Sequence, residues 1–453
     1  MDVKGMRILV VGLARSGIAT ARFLQGKKAI VTITDAKPRA QQEAAAAELE
    51  ALGIELALGN YPQDIGSKYQ LVVTSPGVPL TIPPIQEAYQ AGVPVISEIE
   101  LAYRFAKAPM VAITGTNGKT TTTTLIGEMF RQAGWQVCVA GNIGLPLISE
   151  IEKYPAEAAV VVEVSSFQLE TTDRFKPKVS LILNLTPDHL DRHGTMENYA
   201  EAKAKIFANQ AAGDFTILNY DDPTVAAFAE RSSGQVIFFS RVHNLTKGVC
   251  VQDGQVVIKD GERVLRVLNT GDIRIPGAHN LENALAAVAA GWVMGLSPVA
   301  LAGTLKTFPG VAHRLEFVAE VDGVTYVNDS KGTNPDAAIK ALEAYDDRPI
   351  VLIAGGLNKG SDFTGFAQKI REKAHALVVV GQGADAIAEA AAKAGVKDIV
   401  KAATFAETVH LAAQKARPGD IVLLSPACAS WDMFNNFEER GDLFKKVVLS
   451  LRT

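Results

Sequence analysis

The sequence predicts an α/β protein built of three domains. The chain has 453 residues, more than the roughly 250–300 at which a single hydrophobic core stops growing. Short apolar stretches alternate with helical stretches, a pattern typical of parallel sheets. Pro- and Gly-containing segments near residues 107–109 and 307–310 suggest the boundaries, so we predict domains over residues 1–107, 108–308 and 309–453.

The first hundred residues predict a Rossmann-like domain. Apolar strands over residues 7–11 and 29–34 flank a helix, and the turn over residues 12–17 is a dinucleotide-binding fingerprint whose middle Gly is replaced by Ala14. Asp35 ends the second strand. Because the replacement removes the closest approach of the backbone to a pyrophosphate, it favours a nucleotide-diphosphate portion of a substrate over NAD. A tight turn that binds no ligand is the alternative.

A second turn of this domain, Ser75-Pro76-Gly77, follows an apolar strand over residues 71–73. The carboxyl ends of parallel strands meet at one edge of a sheet, so this turn is expected to face the same crevice as the fingerprint. We therefore expect both loops to grip one ligand.

A glycine-containing loop predicts that the second domain binds ATP and is of the P-loop type. The segment from Gly115 to Thr121 joins an apolar strand over residues 110–113 to a Thr-rich helix. Gly115 lies closer to Gly118 than the usual phosphate-loop pattern requires, but small residues, a Lys and a hydroxyl remain. Lys119 is expected to meet the β- and γ-phosphates, and Thr120 to bind Mg²⁺. The alternative is an ordinary strand-to-helix turn.

Other polar groups follow later strands of the second domain. Glu163 comes directly after the apolar stretch 159–162 and is a candidate Mg²⁺ ligand, although a helix cap or surface charge fits that position equally. A polar cluster over residues 186–193 follows a predicted strand at 181–185. The stretch 199–207 has the pattern of an amphipathic helix, and on that pattern alone its lysines would face solvent.

The third domain again alternates strands with helices. Apolar strands are predicted over residues 350–354, 376–380 and 421–424, which indicates a second Rossmann-like unit at the end of the chain.

Composition favours an enzyme that acts on small anionic substrates. Hydrophobic residues make up 48% of the chain and the net charge is -4, without a basic run, which argues against nucleic acid or an anionic membrane as the main partner. No stretch of about 18 apolar residues appears. Cys138, Cys250 and Cys428 lie far apart without metal-ligand spacing. We expect a cytoplasmic protein without disulfides or zinc, and we take it to be a monomer.

The motifs together resemble those of the Mur ligase family of ATP-dependent amide-bond-forming enzymes. The matching blocks cover essentially the whole chain, and the block around residues 424–441 resembles the D-glutamate-adding members. The blocks begin at Gly115, Gly141, Glu163, Asp188, Ala202, Gly277, His313, Asn328 and Leu424.

This resemblance implies a function, addition of D-glutamate to UDP-N-acetylmuramoyl-L-alanine in peptidoglycan precursor synthesis. The acceptor carboxylate is first phosphorylated by ATP and the acyl phosphate is then attacked by the amine. Another Mur-family ligase or a folylpolyglutamate synthase is the nearest alternative. An NAD-binding oxidoreductase is disfavoured by the imperfect fingerprint and the complete ATP machinery downstream.

The resemblance also assigns residues to roles. Lys119, His189 and Lys203 are implied as catalytic, with Lys203 carbamylated by CO₂, and two Mg²⁺ ions are held by Thr120, Glu163, His189 and the modified Lys203. ATP is implied to contact Gly115, Thr116, Asn117, Gly118, Lys119, Thr120, Thr121, Asn280, Asn283, Arg314, Asp329 and Lys331. The substrates are implied to contact Arg15, Ser16, Asp35, Lys37, Ser75, Pro76, Gly77, Asn142, His189, Thr333, Lys359, Ser430 and Phe437.

Overall fold

The computed structural model describes residues 1–345 and 348–451, in which three β-sheets are flanked by helices. The chain divides into two compact units. The first comprises Met1–Asp272 and Glu282–Lys306 and contains two of the sheets. The second comprises Ile273–Leu281 and the chain from Thr307 onward and contains the third sheet.

The first sheet has the strand order expected of a Rossmann-like domain. Its strands are β1 Arg7–Val11, β2 Ile30–Asp35, β3 Glu55–Leu58, β4 Leu71–Thr74 and β5 Val95–Ser97, and its helices are α1 Arg15–Gly26, α2 Glu43–Ala51, α3 Ile65–Lys68, α4 Pro83–Gln90 and α5 Glu98–Phe105. All neighbours are parallel in the order β3-β2-β1-β4-β5. The order reverses beside β1, so the loops after β1 and β4 share one crevice, as the sequence predicts.

The second sheet has nine strands and is mixed. Its strands are β6 Met110–Thr114, β7 Val137–Gly141, β8 Ala159–Glu163, β9 Val179–Ile182, β10 Phe215–Asn219, β11 Gln235–Ser240, β12 Lys247–Gln252, β13 Gln255–Asp260 and β14 Arg263–Asn269. The order is β14-β13-β12-β11-β10-β9-β6-β8-β7, parallel from β7 to β12 and antiparallel at β13 and β14. The sequence did not reveal this antiparallel extension.

The helices of this region include the one that follows the phosphate loop. They are α6 Lys119–Gln132, α7 Ser166–Leu169, α8 Leu190–His193, α9 Met196–Ala204, α10 Pro223–Ala227, α11 Ala278–Val293 and α12 Pro298–Thr307. The predicted strand at 181–185 ends earlier, at Ile182, because Leu183 to Leu185 turn away into the segment that braces the phosphate loop. Short 3₁₀ turns occupy Arg39–Gln41, Leu147–Ser149, Ile151–Lys153, Lys205–Phe207, Phe228–Arg231 and Thr270–Asp272.

The third sheet confirms the α/β character of the last part of the chain. Its strands are β15 Glu316–Val321, β16 Val324–Asn328, β17 Ile350–Gly355, β18 Ala374–Val380, β19 Ile399–Lys401 and β20 Ile421–Leu424, with helices α13 Pro335–Glu343, α14 Thr364–Lys373, α15 Ala384–Ala394, α16 Phe405–Lys415 and α17 Phe437–Ser450. The order is β15-β16-β20-β17-β18-β19, and β15 alone is antiparallel to its neighbour. Across the described residues, no helix is both long and apolar enough to span a bilayer.

Glu98, the first residue of α5, is a buried carboxyl within this fold. Burial raises its pKa from 4.5 to about 7, and the backbone N–H groups of Ile148 and Leu147 oppose that shift only in part. Between these two values the folded protein binds more protons than the unfolded chain. The contribution of Glu98 to the free energy of unfolding therefore falls as the pH rises through this window.

Replacing Glu98 with Gln removes this titration. We expect the stability of the Glu98→Gln variant relative to the wild type to increase with pH between about 4.5 and about 7, by up to about 3 kcal/mol. Melting temperatures of both proteins at several pH values from 5 to 8 would check this. A difference that stays constant with pH would contradict it.

Candidate active site

The phosphate loop needs glycine at two positions because of close packing. Gly115 and Gly118 both have positive φ, +147° and +85°. A Cβ on Gly115 would lie 3.0 Å from the Cβ of Leu183, and one on Gly118 would lie 2.2 Å from Oδ1 of Asn283. Gly118 is also the N-cap residue of α6. The loop thus presents backbone rather than side chains at a helix N-terminus, the arrangement that favours a phosphate.

Residues outside the loop hold its shape. Asn184 accepts from the backbone N–H of Asn117 at 2.8 Å and donates to its carbonyl at 3.1 Å. The Thr116 hydroxyl donates to the carbonyl of Thr186 at 3.1 Å and lies 3.3 Å from the hydroxyl of Tyr199. The sequence analysis missed Asn184, Thr186 and Tyr199 as supports of the site.

Lys119 lies within the loop that it is predicted to serve. Its ammonium donates to the carbonyls of Gly115 at 2.9 Å and Thr116 at 2.8 Å. Thr120 is half-buried, and Thr121 is buried in the first turn of the same helix. The Lys119 ammonium therefore lies inside the phosphate loop, where the phosphates of ATP are expected.

Glu163 ends β8 beside the phosphate loop with one oxygen uncommitted. The residue is 2% exposed and pairs in register with Ile113 of β6. Its Oε1 accepts from Nδ2 of Asn142 at 2.9 Å. Within the described chain, its buried Oε2 has no hydrogen-bond partner. A buried carboxylate oxygen without a partner is costly, and a divalent cation would satisfy it.

Lys203 is buried, which corrects the expectation from helix pattern alone that it faces solvent. It is 1% exposed, and its amine donates to the carbonyl of Gly115 at 2.9 Å and to the Thr114 hydroxyl at 3.4 Å. Burial, followed by the neighbouring charge of Lys119, holds the pKa of Lys203 well below its usual value. Lys205 on the next turn is exposed, as the pattern predicts.

His189 lines a cleft between loops of the first sheet and loops of the second sheet. Its ring packs on Phe167 with centroids 4.8 Å apart, and the guanidinium carbon of Arg192 lies 4.4 Å from the centre of the same Phe167 ring. Arg192 also donates to the carbonyl of Pro76 at 3.4 Å. The cleft has a volume of about 660 Å³, and its lining includes Gly77, Phe167, His189 and Arg192. The predicted Ser75-Pro76-Gly77 turn therefore adjoins the residues around His189.

The fingerprint loop of the first domain is held by two side chains from other loops of the same domain. Asp35 accepts from the N–H of Leu13 at 2.7 Å and of Lys37 at 2.9 Å. Ser75 lies against Gly12 and donates to its carbonyl at 3.3 Å. Asp35 and Ser75 thus shape the crevice.

Arg15 and Ser16 begin α1 at this crevice. The Arg15 guanidinium donates to the carbonyl of Gly144 at 2.7 Å, two residues after Asn142. The predicted substrate residues of the first domain are therefore connected to the segment that touches Glu163.

Asn280 and Asn283 fall in different compact units, although both lie in α11. Asn283 accepts from the Thr122 hydroxyl at 3.2 Å, within the first unit. Asn280 donates to the carbonyl of Pro276 at 2.7 Å, within the second.

Three other predicted nucleotide residues of the second unit lie next to strands: Arg314 precedes β15, and Asp329 and Lys331 follow β16. Burial raises the pKa of Asp329 to about 6, and its carboxylate accepts from the Ser425 hydroxyl at 2.7 Å. Arg314 has a buried Nε without a hydrogen-bond partner among the described residues. The backbone N–H of Lys331 donates to the carbonyl of His313 at 3.0 Å, and its ammonium lies 5.5 Å from the ring centre of Phe437.

The predicted amino-acid residues of this unit lie on loops fixed by a buried arginine. Arg440 is fully buried, and its guanidinium donates to the carbonyls of Ser330 at 2.8 Å and Cys428 at 3.2 Å. These loops bear Thr333, which is half-buried, and Ser430, which is buried. Lys359 is exposed, with its ammonium 3.8 Å from the ring centre of Trp431. Sequence reasoning assigned Arg440 no role, although its spacing from Phe437 and Phe444 places it on the buried face of α17.

A magnesium site at the phosphate loop fits the residues present. In residues 1–345 and 348–451 there is no group of three or more His, Cys, Asp or Glu side chains that could hold a metal by itself. The donors near the loop are instead the Thr120 hydroxyl and the uncommitted oxygen of Glu163. Mg²⁺ commonly binds through one or two protein oxygens together with substrate phosphates, so this sparse donor set suits it.

Three family models match the chain in sequence order. The Mur ligase MurD-like N-terminal domain matches residues 6–97, the Mur ligase middle domain residues 113–291, and the Mur ligase glutamate ligase domain residues 313–428.

Curated relatives match over the full length of the chain. The UDP-N-acetylmuramoylalanine–D-glutamate ligase of Pelotomaculum thermopropionicum is 59% identical, covering 100% of this chain and 99% of the relative. The enzymes of the same name from Thermoanaerobacter sp. and Clostridioides difficile are 48% and 45% identical, each covering 100% of both chains.

Solved structures share the fold at lower identity. The UDP-N-acetylmuramate–alanine ligase of Thermotoga maritima has a TM-score of 0.61 at 20% identity, covering 98% of this chain and 99% of that chain. A pseudomurein peptide ligase type C from Methanothermus fervidus has a TM-score of 0.58 at 19% identity, covering 98% and 100%.

Replacing Gly118 with Ala tests whether the loop packing serves phosphate binding. The added Cβ would meet Asn283 at 2.2 Å on a backbone of φ +85°, so we expect the dissociation constant of a non-hydrolysable ATP analogue to rise about tenfold or more, a cost of at least ~1.4 kcal/mol. Isothermal titration calorimetry would measure it.

Gly134 supplies the matched control at the other end of α6. Its φ is +86°, but no neighbouring atom of the described residues lies within 4 Å of an added Cβ. Gly134→Ala should therefore lower the melting temperature and leave analogue binding within about twofold. Equal weakening of binding by both variants would contradict the packing argument.

Proposed function

The chain belongs to the Mur ligase family of ATP-dependent amide-bond-forming enzymes, and from that premise we propose that it adds D-glutamate to UDP-N-acetylmuramoyl-L-alanine in peptidoglycan precursor synthesis. The main support is the full-length identity of 59% to a relative of that name. Relatives at 48% and 45% have the same name, which disfavours another Mur-family activity, a folylpolyglutamate synthase or an NAD-binding oxidoreductase.

The reaction must convert a carboxylate, whose oxide is a poor leaving group, into an acylating agent. A carboxylate oxygen of the UDP-linked acceptor attacks the γ-phosphorus of ATP, and the bond to ADP breaks, leaving an acyl phosphate. The amine of D-glutamate then attacks the acyl carbon and loses a proton, and phosphate departs from the tetrahedral intermediate. The protein contributes positioning and electrostatic stabilisation rather than a nucleophile.

The phosphate loop supplies the positioning of the nucleotide. We assign the γ-phosphate to the Lys119 ammonium and to the backbone from Gly115 to Thr121, where glycines keep side chains out. Asn283 packs on Gly118 and accepts a hydrogen bond from the Thr122 hydroxyl in the first turn of α6. This arrangement brings positive charge to phosphate without requiring the protein to reorganise during the reaction.

Two magnesium sites are proposed at this edge of the sheet. Thr120 and Glu163 would hold one ion, supported by the uncommitted Glu163 oxygen, and His189 with a modified Lys203 would hold the other. When bound, Mg²⁺ would neutralise the phosphates and the acceptor carboxylate that must approach each other.

Carbamylation of Lys203 is supported by its environment. Since burial and the charge of Lys119 lower its pKa, the amine is neutral more readily than an exposed lysine. The neutral nitrogen forms a bond to the carbon of CO₂ and releases a proton, which replaces a cation with a carbamate anion. The carbamate nitrogen keeps one N–H, which leaves one donor for either the Thr114 hydroxyl or the Gly115 carbonyl.

Residues of the remaining loops are assigned to the substrates. Arg15, Ser16, Asp35, Lys37 and the Ser75-Pro76-Gly77 turn are proposed for the UDP portion, supported by their shared crevice. In the second unit, Asn280, Arg314, Asp329 and Lys331 are proposed for the nucleotide, and Thr333, Lys359, Ser430 and Phe437 for D-glutamate, whose two carboxylates suit the lysine cation and the two hydroxyls. Cytoplasmic location and a monomeric state stay predictions from the sequence.

The proposed reaction predicts which substrates release ADP and phosphate. We expect phosphate release only when UDP-N-acetylmuramoyl-L-alanine and D-glutamate are both present with ATP and Mg²⁺. A panel of amino acids in both enantiomers should leave D-glutamate as the preferred amine by at least about 100-fold. Equal turnover with L-glutamate or with meso-diaminopimelate would overturn the assignment.

The carbamate predicts unequal roles for two neighbouring lysines. Lys203→Ala should lower kcat about 100-fold or more, and high bicarbonate should not restore it, because the variant has no amine to modify. Lys205→Ala, at an exposed position, should reduce activity less than about threefold.

A direct observation of the modification accompanies the kinetics. With ¹³C-labelled bicarbonate, the wild type and Lys205→Ala should show a carbamate carbon signal in NMR spectra, and Lys203→Ala should lack it. Similar activity in both variants, or the same signal in all three proteins, would remove the carbamate from the proposal.

A further inference from the structure

We propose that Glu98 is a positioning residue for the UDP-linked acceptor. It anchors the segment from Gly141 to Ser149, called here the Asn142 loop. This inference rests on the proposed function and names a residue in which neither the motifs nor the family resemblance suggested a role.

Glu98 reaches this loop from the last helix of the first domain. It is the first residue of α5, which the Ser97 hydroxyl caps, and it is 1% exposed. Its Oε1 accepts from the backbone N–H of Ile148 at 2.7 Å. Ile148 belongs to the 3₁₀ turn Leu147–Ser149 that closes the loop. Buried backbone donors need an acceptor, so this carboxylate fixes where the turn lies.

The Asn142 loop connects two parts of the proposed site. At one point, Asn142 donates from its backbone N–H to the carbonyl of Glu163 at 2.9 Å and from Nδ2 to Oε1 of Glu163 at 2.9 Å. At another, the carbonyl of Gly144 accepts from Arg15 at 2.7 Å. A shift of the loop would therefore move Arg15, proposed for the UDP portion, and the amide that orients Glu163.

The loop has few other anchors near its tip. Asn142, Gly144 and Leu145 are exposed, whereas Leu147 and Ile148 are buried. Gly141 enters the loop with φ +106°, and a Cβ there would lie 2.4 Å from the carbonyl oxygen of Glu163. The loop is thus held by the sheet at its start and, at its end, by Glu98 together with the buried side chains of Leu147 and Ile148, with the Arg15 contact between them.

Glu100 provides a matched control on the same helix. It too is fully buried, and it accepts from the backbone N–H groups of Asp173, Arg174 and Phe175 at 2.8–3.1 Å. Its segment contains none of the residues proposed for substrate, ATP or metal. Removal of Glu100 should therefore destabilise the protein without displacing the acceptor site.

The test compares Glu98→Ala with Glu100→Ala by direct binding. Isothermal titration calorimetry with UDP-N-acetylmuramoyl-L-alanine, without ATP or Mg²⁺, should show a dissociation constant raised about tenfold in Glu98→Ala and changed less than about twofold in Glu100→Ala. Glu98→Gln retains an acceptor oxygen and should bind within about twofold of the wild type. Hydrogen exchange should rise in peptides spanning residues 141–149 only in Glu98→Ala.

The outcomes separate this inference from the proposed function. Wild-type affinity in Glu98→Ala, or equal weakening in both alanine variants at similar loss of melting temperature, overturns the positioning role. If Glu98→Ala does not fold, Glu98→Asp, whose shorter side chain withdraws the acceptor, is held to the same tenfold expectation. Absence of binding by the wild type itself would instead contradict the proposed function, and the inference with it.

Discussion

Burial of charge beside the phosphate loop is the constraint on which the site depends. Glu163 and Lys203 are both removed from water, at 2% and 1% exposure. Burial favours the neutral form of a lysine, and a buried carboxylate oxygen without a partner is costly. Oε2 of Glu163 has no hydrogen-bond partner among the described residues, and burial holds the pKa of Lys203 well below its usual value. If other side chains of the protein already paired with these two groups, the carboxylate would gain less from binding a cation and the amine would gain less from modification.

Oε2 of Glu163 stays available to a ligand only if neighbouring residues are held in place and do not pack against it. Asn142 donates to the other oxygen of Glu163 at 2.9 Å and so orients the carboxylate. The phosphate loop is held in turn because Asn184 pairs with both backbone groups of Asn117 and Gly118 packs on Asn283. Asn184 thus shapes the loop through its backbone groups, and Oε2 of Glu163 remains without a hydrogen-bond partner among the described residues.

The sequence predicted what depends on local pattern and missed what depends on tertiary packing. The strands at 350–354 and 421–424, the phosphate loop and the position of Glu163 follow from apolar runs and the residues at their ends. The burial of Lys203 does not follow from local pattern. Its helix has the pattern of an amphipathic helix, and only the packing against the sheet determines which face is covered. Resemblance to a family suggested a special role for Lys203 where periodicity could not. For Glu98, no such pattern exists, since its partners are backbone groups 50 residues away.

In the second unit, a buried arginine fixes the loops, and an exposed lysine and tryptophan lie on those loops. The Arg440 guanidinium donates hydrogen bonds to the carbonyls of Ser330 and Cys428, and burial lowers its pKa to about 10. Its role is therefore to fix loops rather than to bind a ligand. Lys359, in contrast, is exposed on the ring of Trp431, itself 61% exposed. Ligases of this family share phosphoryl chemistry but differ in the amine that they accept. In this chain solvent reaches the Lys359 ammonium and the Trp431 ring, while the loops that bear them are fixed by hydrogen bonds from the buried Arg440 guanidinium to the carbonyls of Gly355 and Cys428.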